Sequence, residues 1–129
     1  MKRLPLEPEF LAPLPTEIDL RLIVTDMDGT LIDGDGRVPA GLNQVVARLR
    51  EAGIVFAPAS GRQLANLRAV LGPAVDDSPL IAENGSLVVL GSEEIHSDTI
   101  CAEDTAAAIT TTRDLARAGY DVGAVVACK

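Results

Sequence analysis

The sequence predicts an α/β fold, a Rossmann-like parallel sheet whose strands are joined by helices. Two observations predict it. Short apolar runs alternate with segments in which apolar residues recur at helical spacing, in the order strand, helix, strand, helix, strand. The first two runs end in turns with acidic, hydroxyl or glycine residues, at the edge where open α/β sheets bind ligands. Because parallel strands need a crossover connection, the alternation implies right-handed βαβ units.

Composition limits the function classes. The chain has 129 residues, of which 47% are hydrophobic, enough for one modest core. Its formal net charge of −8 disfavours nucleic-acid binding through a basic surface, although a metal and backbone amides can still hold a phosphate ligand. No apolar run approaches the roughly 20 residues that span a bilayer. Lys2 and Arg3 are followed by prolines and acids rather than by a signal peptide's apolar stretch, so we expect a cytoplasmic protein that does not bind membranes.

Residues 1–19 are predicted to form a proline-rich N-terminal arm. Half of the eight prolines lie there, interleaved with glutamates, and such a composition disfavours both helices and the interior of a sheet. The arm also carries leucines and a phenylalanine. Two interpretations stay open for them, docking on another surface and a frayed terminus.

The first predicted strand is Leu20–Val24, which leads into Asp26-Met27-Asp28-Gly29-Thr30-Leu31. Residues 31–38 then contain two Asp-Gly pairs between apolar residues, a tight-turn signal, so we expect a small flap over the end of the strand. Asp33 and Asp35 in this flap lack the full ligand spacing of an EF-hand loop. Turn chemistry is therefore favoured over a calcium site.

The following elements show the same two periodicities. A helix is expected to open at Pro39 and to stop at Gly53. Ile54–Ala57 is predicted as a second buried strand, a second helix follows over residues 63–71, and Leu80–Ala82 forms a third strand. The apolar face of the first helix is expected to comprise Leu42, Val45, Val46 and Leu49.

The last third of the chain begins with a hairpin signal. Asn84-Gly85 separates the third strand from the apolar run Ser86–Leu90, the arrangement of a two-residue hairpin. Gly91-Ser92 offers a further turn. A third helix is predicted over residues 103–118, with acids in its first turn, and a last strand over Val122–Cys128.

The two acids after the first strand indicate phosphoryl chemistry. Asp26 and Asp28 are two residues apart, so on an extended backbone both carboxylates leave one face. Two close carboxylates repel unless a cation or a proton lies between them. A hard cation such as Mg²⁺ offsets that repulsion and orients a phosphoryl group, after which one carboxylate can form an acyl phosphate and the other can pass protons. The alternative, a solvated acidic turn, is disfavoured by the buried strand before the pair.

The turn after the second strand is a candidate anion site. Ser60-Gly61-Arg62 stands where a helix begins, and a hydroxyl together with free N–H groups at a helix start binds anions. A simple helix cap is the alternative. Its place one βα unit after Asp26 favours the functional interpretation.

At these residues the sequence resembles the haloacid dehalogenase superfamily of phosphatases, and more closely its Cof-type sugar-phosphatase branch. Asp26-Met27-Asp28-Gly29-Thr30-Leu31 matches the family's first motif. The resemblance implies that Asp26 is the nucleophile and a Mg²⁺ ligand. It makes Asp28 the general acid/base, with its backbone carbonyl also facing the metal. Thr30 shapes the turn beneath them and joins the phosphate-binding set.

Two further stretches carry the resemblance. Ser60-Gly61-Arg62 is similar to the second motif, which implies that Ser60 and Gly61 bind phosphoryl oxygens and that Arg62 is a candidate substrate contact. Residues 82–86 are similar to the family's Asn-Gly stretch after the third strand, so Asn84 is a second candidate substrate contact beside its interpretation as a hairpin turn.

The resemblance implies a Mg²⁺-dependent phosphatase acting on a small phosphorylated metabolite through an aspartyl-phosphate intermediate. It divides the chain into an incomplete core over residues 20–95, with a β-hairpin extension, and the beginning of an α+β cap over residues 96–129. Members of this branch are longer. Their later lysine motif and final acidic motif cannot be located here, so we expect a C-terminally truncated member whose activity alone is doubtful.

Two other hypotheses stay open. In the family sheet the first strand is central, so without its later neighbours Leu20–Val24 would be an apolar edge open to pairing. Together with the lysine and acidic motifs that cannot be located, this supports a non-catalytic module in which the acidic pair holds a cation and the chain pairs with a partner or with itself, as a homodimer through that edge. A phospho-accepting receiver domain fits the length, but it requires an aspartate where this chain has Glu83-Asn84, so it ranks last.

Overall fold

The computed structural model describes residues 18–127. Most of the predicted N-terminal arm, together with Cys128 and Lys129, lies outside the described residues. The regular elements are β1 (Leu22–Asp26), α1 (Leu42–Glu51), β2 (Val55–Ala59), α2 (Leu64–Leu71), β3 (Pro79–Ala82), β4 (Leu87–Leu90), β5 (Glu93–Ser97) and α3 (Ala102–Arg117). Short 3₁₀ turns cover Gly72–Val75 and Glu83–Gly85.

The five strands form one mixed sheet in the order β1-β2-β3-β4-β5. β1 pairs with β2 and β2 with β3 in parallel, while β3, β4 and β5 pair antiparallel. The predicted α/β fold with parallel βαβ units is confirmed. The hairpin is no separate appendage, because β4 and β5 continue the same sheet beyond β3.

The first two strands end later than the apolar runs predict. β1 extends to Asp26, which lies opposite Ala59 in the ladder. β2 runs through Pro58, opposite Thr25 and almost completely buried, whereas the prediction ended this strand at Ala57. Strand pairing uses backbone groups, so an acid can end a strand. Pro58 has no N–H to donate, and the ladder between β2 and β3 pairs Ala59 with Ile81 rather than Pro58. The shift makes Asp26 the last residue of a paired strand.

The core lies against the face of the sheet that α1 and α2 cover. Leu67 on α2 and Val46 on α1 are fully or almost fully buried there, and Phe56 of β2 packs into the same cluster. α1 begins at Leu42 rather than at Pro39, and Val45, predicted to face inward, is 53% exposed. Adjacent helical positions point about 100° apart, so only one of two neighbouring valines faces the sheet.

α3 lies nearly where the periodicity predicts it. It carries Glu103 and Asp104 in its first turn and Arg117 in its last, which complements the helix dipole. The predicted strand after it is wrong over residues 122–127, which have no regular structure. A strand is stable only when paired, and Val125 is 95% exposed. Within residues 18–127, no helix is both long and apolar enough to cross a bilayer.

Candidate active site

Asp26 lies at the carboxyl end of β1, at the edge of the sheet where the sequence predicts ligand binding. Its backbone is fixed by the ladder with β2, and its carbonyl accepts a hydrogen bond from the N–H of Leu31 at 3.2 Å. The side chain is exposed. Across residues 18–127, the Asp26 carboxylate makes no hydrogen bond or ion pair, so both its oxygens are available to a ligand.

Met27 anchors the turn between the two acids. Its side chain is completely buried, and its carbonyl accepts a hydrogen bond from the Ile32 N–H at 2.8 Å. Gly29 closes the turn with φ +78°, a backbone conformation that glycine adopts without strain. An apolar residue between the aspartates therefore points into the core and directs the acids toward solvent.

Asp28 is held by Arg62, which reaches it from the turn after β2. The Arg62 Nη2 donates to Asp28 Oδ1 at 2.6 Å and the Nε donates to Oδ2 at 3.1 Å. This is the bidentate arrangement that matches a guanidinium to a carboxylate. The hydrogen bonds from Arg62, reinforced by its charge, lower the pKa of the Asp28 carboxyl against a smaller opposing effect of desolvation. The same contacts raise the pKa of Arg62.

A third residue, Asn66, orients the arginine and was missed by the sequence analysis. Its Oδ1 accepts a hydrogen bond from Arg62 Nη1 at 3.0 Å. Asn66 lies in the first turn of α2, four residues after Arg62, the spacing at which side chains meet on a helix surface. That spacing was the only signal in the sequence that could have found it.

The Ser60-Gly61-Arg62 turn, here called the phosphate loop, follows β2 at the same sheet edge. Asp26 pairs with Ala59, the last residue of β2, so Ser60 directly follows the strand next to the one that ends in Asp26. Ser60 is 8% exposed, and its Oγ accepts a hydrogen bond from the Arg62 N–H at 3.1 Å. A hydroxyl that accepts this bond still has its own proton to donate to an anion.

Asn84 lies against the phosphate loop rather than in a two-residue hairpin. It belongs to the Glu83–Gly85 turn, which corrects the predicted geometry between β3 and β4. A Cβ added to Gly61 would stand 2.8 Å from Asn84 Oδ1, so the two residues are in close contact. Thr30, by contrast, lines a neighbouring cavity of about 430 Å³ under the flap, together with Arg37 and Pro39. The structure thus brings two sets of residues into contact. One set is Asp28, Arg62 and Asn66, and the other is Gly61 and Asn84.

The donor set fits a magnesium ion that keeps several non-protein ligands. Asp26 offers a free carboxylate, and the Asp28 backbone carbonyl lies two residues further along the same turn. Between residues 18 and 127 there is no group of three or more histidine, cysteine, aspartate or glutamate side chains arranged to hold a metal. Mg²⁺ often binds through one or two carboxylates and completes its shell with water and phosphate oxygens. The residues present therefore suit a Mg²⁺ site only partly supplied by protein.

Comparison with known proteins identifies the family. A family model of haloacid dehalogenase-like hydrolases matches residues 23–120, well over half of the chain. The chain belongs to this family. The resemblance to the haloacid dehalogenase superfamily and its Cof-type branch is thereby confirmed.

Two curated relatives show how much of a haloacid dehalogenase-like hydrolase is present. An HMP-PP phosphatase of Shigella flexneri is 37% identical over 84 residues, which are 64% of this chain and 31% of that protein. A phosphoglycolate phosphatase of Methanopyrus kandleri is 35% identical over 83 residues, which are 64% of this chain and 35% of that protein. The chain spans about a third of the length of these relatives.

Three solved structures share the fold of this chain. SMU.1108c of Streptococcus mutans matches with a TM-score of 0.66 at 25% identity, over 74% of this chain and 36% of that one. TM0651 of Thermotoga maritima matches with a TM-score of 0.62 at 26% identity, over 74% of this chain and 36% of that one. The subclass IIB sugar phosphatase BT4131 has the same fold, with a TM-score of 0.56 at 23% identity over 73% of this chain and 37% of that one.

Proposed function

We propose that this chain carries the nucleophile, the acid/base and the phosphate loop of a phosphatase that hydrolyses a small, sugar-phosphate-like phosphomonoester with Mg²⁺. The observation that carries the proposal is the unequal pairing of two carboxylates at one strand end. The Asp26 carboxylate forms no hydrogen bond or ion pair within residues 18–127, whereas the Asp28 carboxylate accepts two hydrogen bonds from Arg62. An unpaired carboxylate is available for attack, and a positioned one is suited to pass protons. The phosphatase names of the two curated relatives support the same reaction class.

The proposed reaction has two steps. An oxygen of Asp26 attacks phosphorus, the bond from phosphorus to the ester oxygen breaks, and the leaving oxygen keeps the electron pair and takes a proton from Asp28. Water then attacks the phosphorus of the aspartyl phosphate and gives a proton to Asp28. The acyl-oxygen-to-phosphorus bond breaks, so Asp26 is restored as a carboxylate and inorganic phosphate leaves.

Arg62 connects the two acid/base states of Asp28. Its hydrogen bonds favour the ionised carboxylate of Asp28. We therefore expect Asp28 to take up a proton after its hydrogen bonds to Arg62 have broken. A phosphoryl group offers the guanidinium a second bidentate partner. Arg62 is therefore proposed to exchange Asp28 for substrate oxygens, while the Ser60 hydroxyl donates to another.

Magnesium would be held by the Asp26 carboxylate and the Asp28 carbonyl. Bound there, it would offset the repulsion between a carboxylate nucleophile and a phosphoryl dianion. Among the described residues, Arg62 pairs with Asp28 and no cation pairs with Asp26. We therefore expect phosphate release to depend on added Mg²⁺.

The test is phosphate release from an aryl phosphate with Mg²⁺ and with EDTA. Replacing Asp26 by Asn keeps the shape but removes the nucleophile, so Asp26→Asn should lower the Mg²⁺-dependent rate at least about a hundredfold. Asp35→Asn is the matched control, since Asp35 is an exposed aspartate whose ion pair with Arg37 lies in the flap. Equal rates for the native chain and Asp26→Asn would show that this chain does not catalyse the reaction.

A second function, a self-associating module, is favoured by one observation. β1 is the edge of the sheet, and Leu22 and Val24 on it are each 52% exposed. Val55, opposite Leu22 in the ladder, is 44% exposed on the same face. Apolar side chains on an unpaired edge are a template for association with another chain.

A further inference from the structure

The turn after β3 forms two backbone hydrogen bonds with the phosphate loop. The Glu83 N–H donates to the Arg62 carbonyl at 3.1 Å, and the Asn84 N–H donates to the Ser60 carbonyl at 3.1 Å. These carbonyls belong to the residues on either side of Gly61. Two successive donors of one turn thus hold both ends of the three-residue loop.

The Asn84 side chain fills the space above the middle of that loop. A Cβ on Gly61 would lie 2.8 Å from Asn84 Oδ1, 3.2 Å from Nδ2 and 3.3 Å from Cγ. Real Cβ atoms essentially never approach another atom as closely as the first of these. Gly61 does not have a positive φ, so a side chain at this position would be opposed by the end of the Asn84 side chain, which would have to turn aside, and not by the backbone.

The turn adopts an unfavourable backbone to make these contacts. Glu83 has φ 51° and Asn84 has φ 56°, two consecutive non-glycine residues in the left-handed region. Such residues persist where the surroundings determine them and are found disproportionately at functional sites. Here the two hydrogen bonds and the packing on Gly61 are the determining contacts.

We propose that Asn84 is a positioning residue for the phosphate loop. It acts as a wedge over Gly61, while its N–H donates to the Ser60 carbonyl, so the loop backbone and the Ser60 hydroxyl are in place before a phosphoryl group arrives. The proposal rests on the proposed phosphatase function. It replaces the expectation that Asn84 touches substrate, because the residue acts through Gly61 and Ser60.

The first test asks whether the wedge exists in solution. Gly61→Ala should lower the melting temperature by about 2–4 °C, because the new methyl group pushes the end of the Asn84 side chain out of its place over the loop. Adding Asn84→Gly should restore most of that loss, since the obstructing side chain is gone. Glu83→Gly is the matched control: it relieves the same backbone strain but leaves the wedge, so it should not rescue Gly61→Ala. Additive effects of Gly61→Ala and Asn84→Gly would overturn the proposal, as would failure of the double variant to fold.

The second test asks whether the wedge serves phosphate. Inorganic phosphate is titrated calorimetrically into the native chain, Asn84→Gly and Glu83→Gly, each with Mg²⁺. Asn84→Gly should weaken binding about tenfold, by more than Glu83→Gly does. Unchanged affinity in Asn84→Gly overturns the positioning role even where the melting data show the contact. A native chain that binds no phosphate overturns the phosphatase proposal itself, and the melting data then still report separately on the wedge.

Discussion

At the scale of single residues, the hydrogen bonds and ion pairs of each side chain distinguish the residues of the site. Three nitrogens of the Arg62 guanidinium donate hydrogen bonds to Asp28 and Asn66. This side chain, predicted as a substrate contact, is therefore already bonded to protein groups before a ligand is present. Asp26 and Asp28 have the same side chain, but only the Asp28 carboxylate forms hydrogen bonds within residues 18–127. The difference comes from a residue 34 positions away, which spacing within the motif cannot reveal.

The first residue-scale prediction concerns pH. Because Arg62 lowers the pKa of Asp28 below its ordinary 3.8, the ion pair stabilises the fold above that pH and is lost as the pH falls through the lowered pKa. Arg62→Gln should raise the Asp28 midpoint toward 3.8 in an NMR carboxyl titration without metal. The melting temperatures of the two proteins should also converge in acid. Arg37→Gln, which removes an exposed ion pair, should leave the Asp28 midpoint in place, and an unmoved midpoint in Arg62→Gln would contradict the role assigned to the pair.

At the scale of elements, the flap shows how turn chemistry shapes the surroundings of the site. Its Asp-Gly pairs predict a tight turn, and the structure shows Asp33 as its centre. The Asp33 Oδ1 accepts hydrogen bonds from the N–H groups of Asp35 at 3.0 Å and Arg37 at 2.8 Å. Residues between 29 and 39 line the neighbouring cavity, and Asp33 is one of them, so its hydrogen bonds within the flap help to set the shape of that cavity.

Asp33→Ala should therefore loosen the flap without unfolding the sheet. Loss of the shared acceptor is expected to speed amide exchange of residues 35 and 37 about tenfold, because a hydrogen bond to a charged group contributes about 1.5 kcal/mol or more. Hydrogen exchange followed by NMR measures this. Asp35→Ala serves as the control, since the Asp35 side chain contacts only the exposed Arg37 at 3.4 Å, and equal exchange in both variants would argue against Asp33 as the centre of the turn.

The elements also show what the sequence could predict. Apolar periodicity predicts the parallel β1, β2 and β3 and the helices between them, because burial on one face imposes those patterns. It misplaces the strand ends, since pairing continues through Pro58 and as far as Asp26. It also misses Asn66 and the wedge over Gly61. The spacing of four residues between Arg62 and Asn66 is common on any helix and does not single out this pair, and the contact of Gly61 with Asn84 joins segments that are distant in sequence.

At the scale of the whole molecule, the strand order gives β1 one partner strand within residues 18–127. Every second residue of β1 and β2 points to the face of the sheet that faces away from the core. Three of these residues, Leu22, Val24 and Val55, are about half-exposed. The opposite face is covered by α1 and α2 and contains the core. The phosphate loop and Asp26 lie at the carboxyl edge of this same half-covered sheet. A chain with this edge has an apolar surface that favours association.

We predict that the chain self-associates through β1 and its outward face. Val24→Lys places a charge in the middle of the edge strand, the device by which natural sheets avoid edge pairing, so it should shift the chain to monomer in sedimentation velocity. Ile100→Lys is the matched control, because Ile100 is 76% exposed and lies outside the sheet. If the native chain sediments as a monomer over a wide concentration range, or if both lysines act alike, β1 is not an association surface. If Val24→Lys abolishes association and leaves the rate of phosphate release unchanged, association through β1 is not needed for the reaction at Asp26.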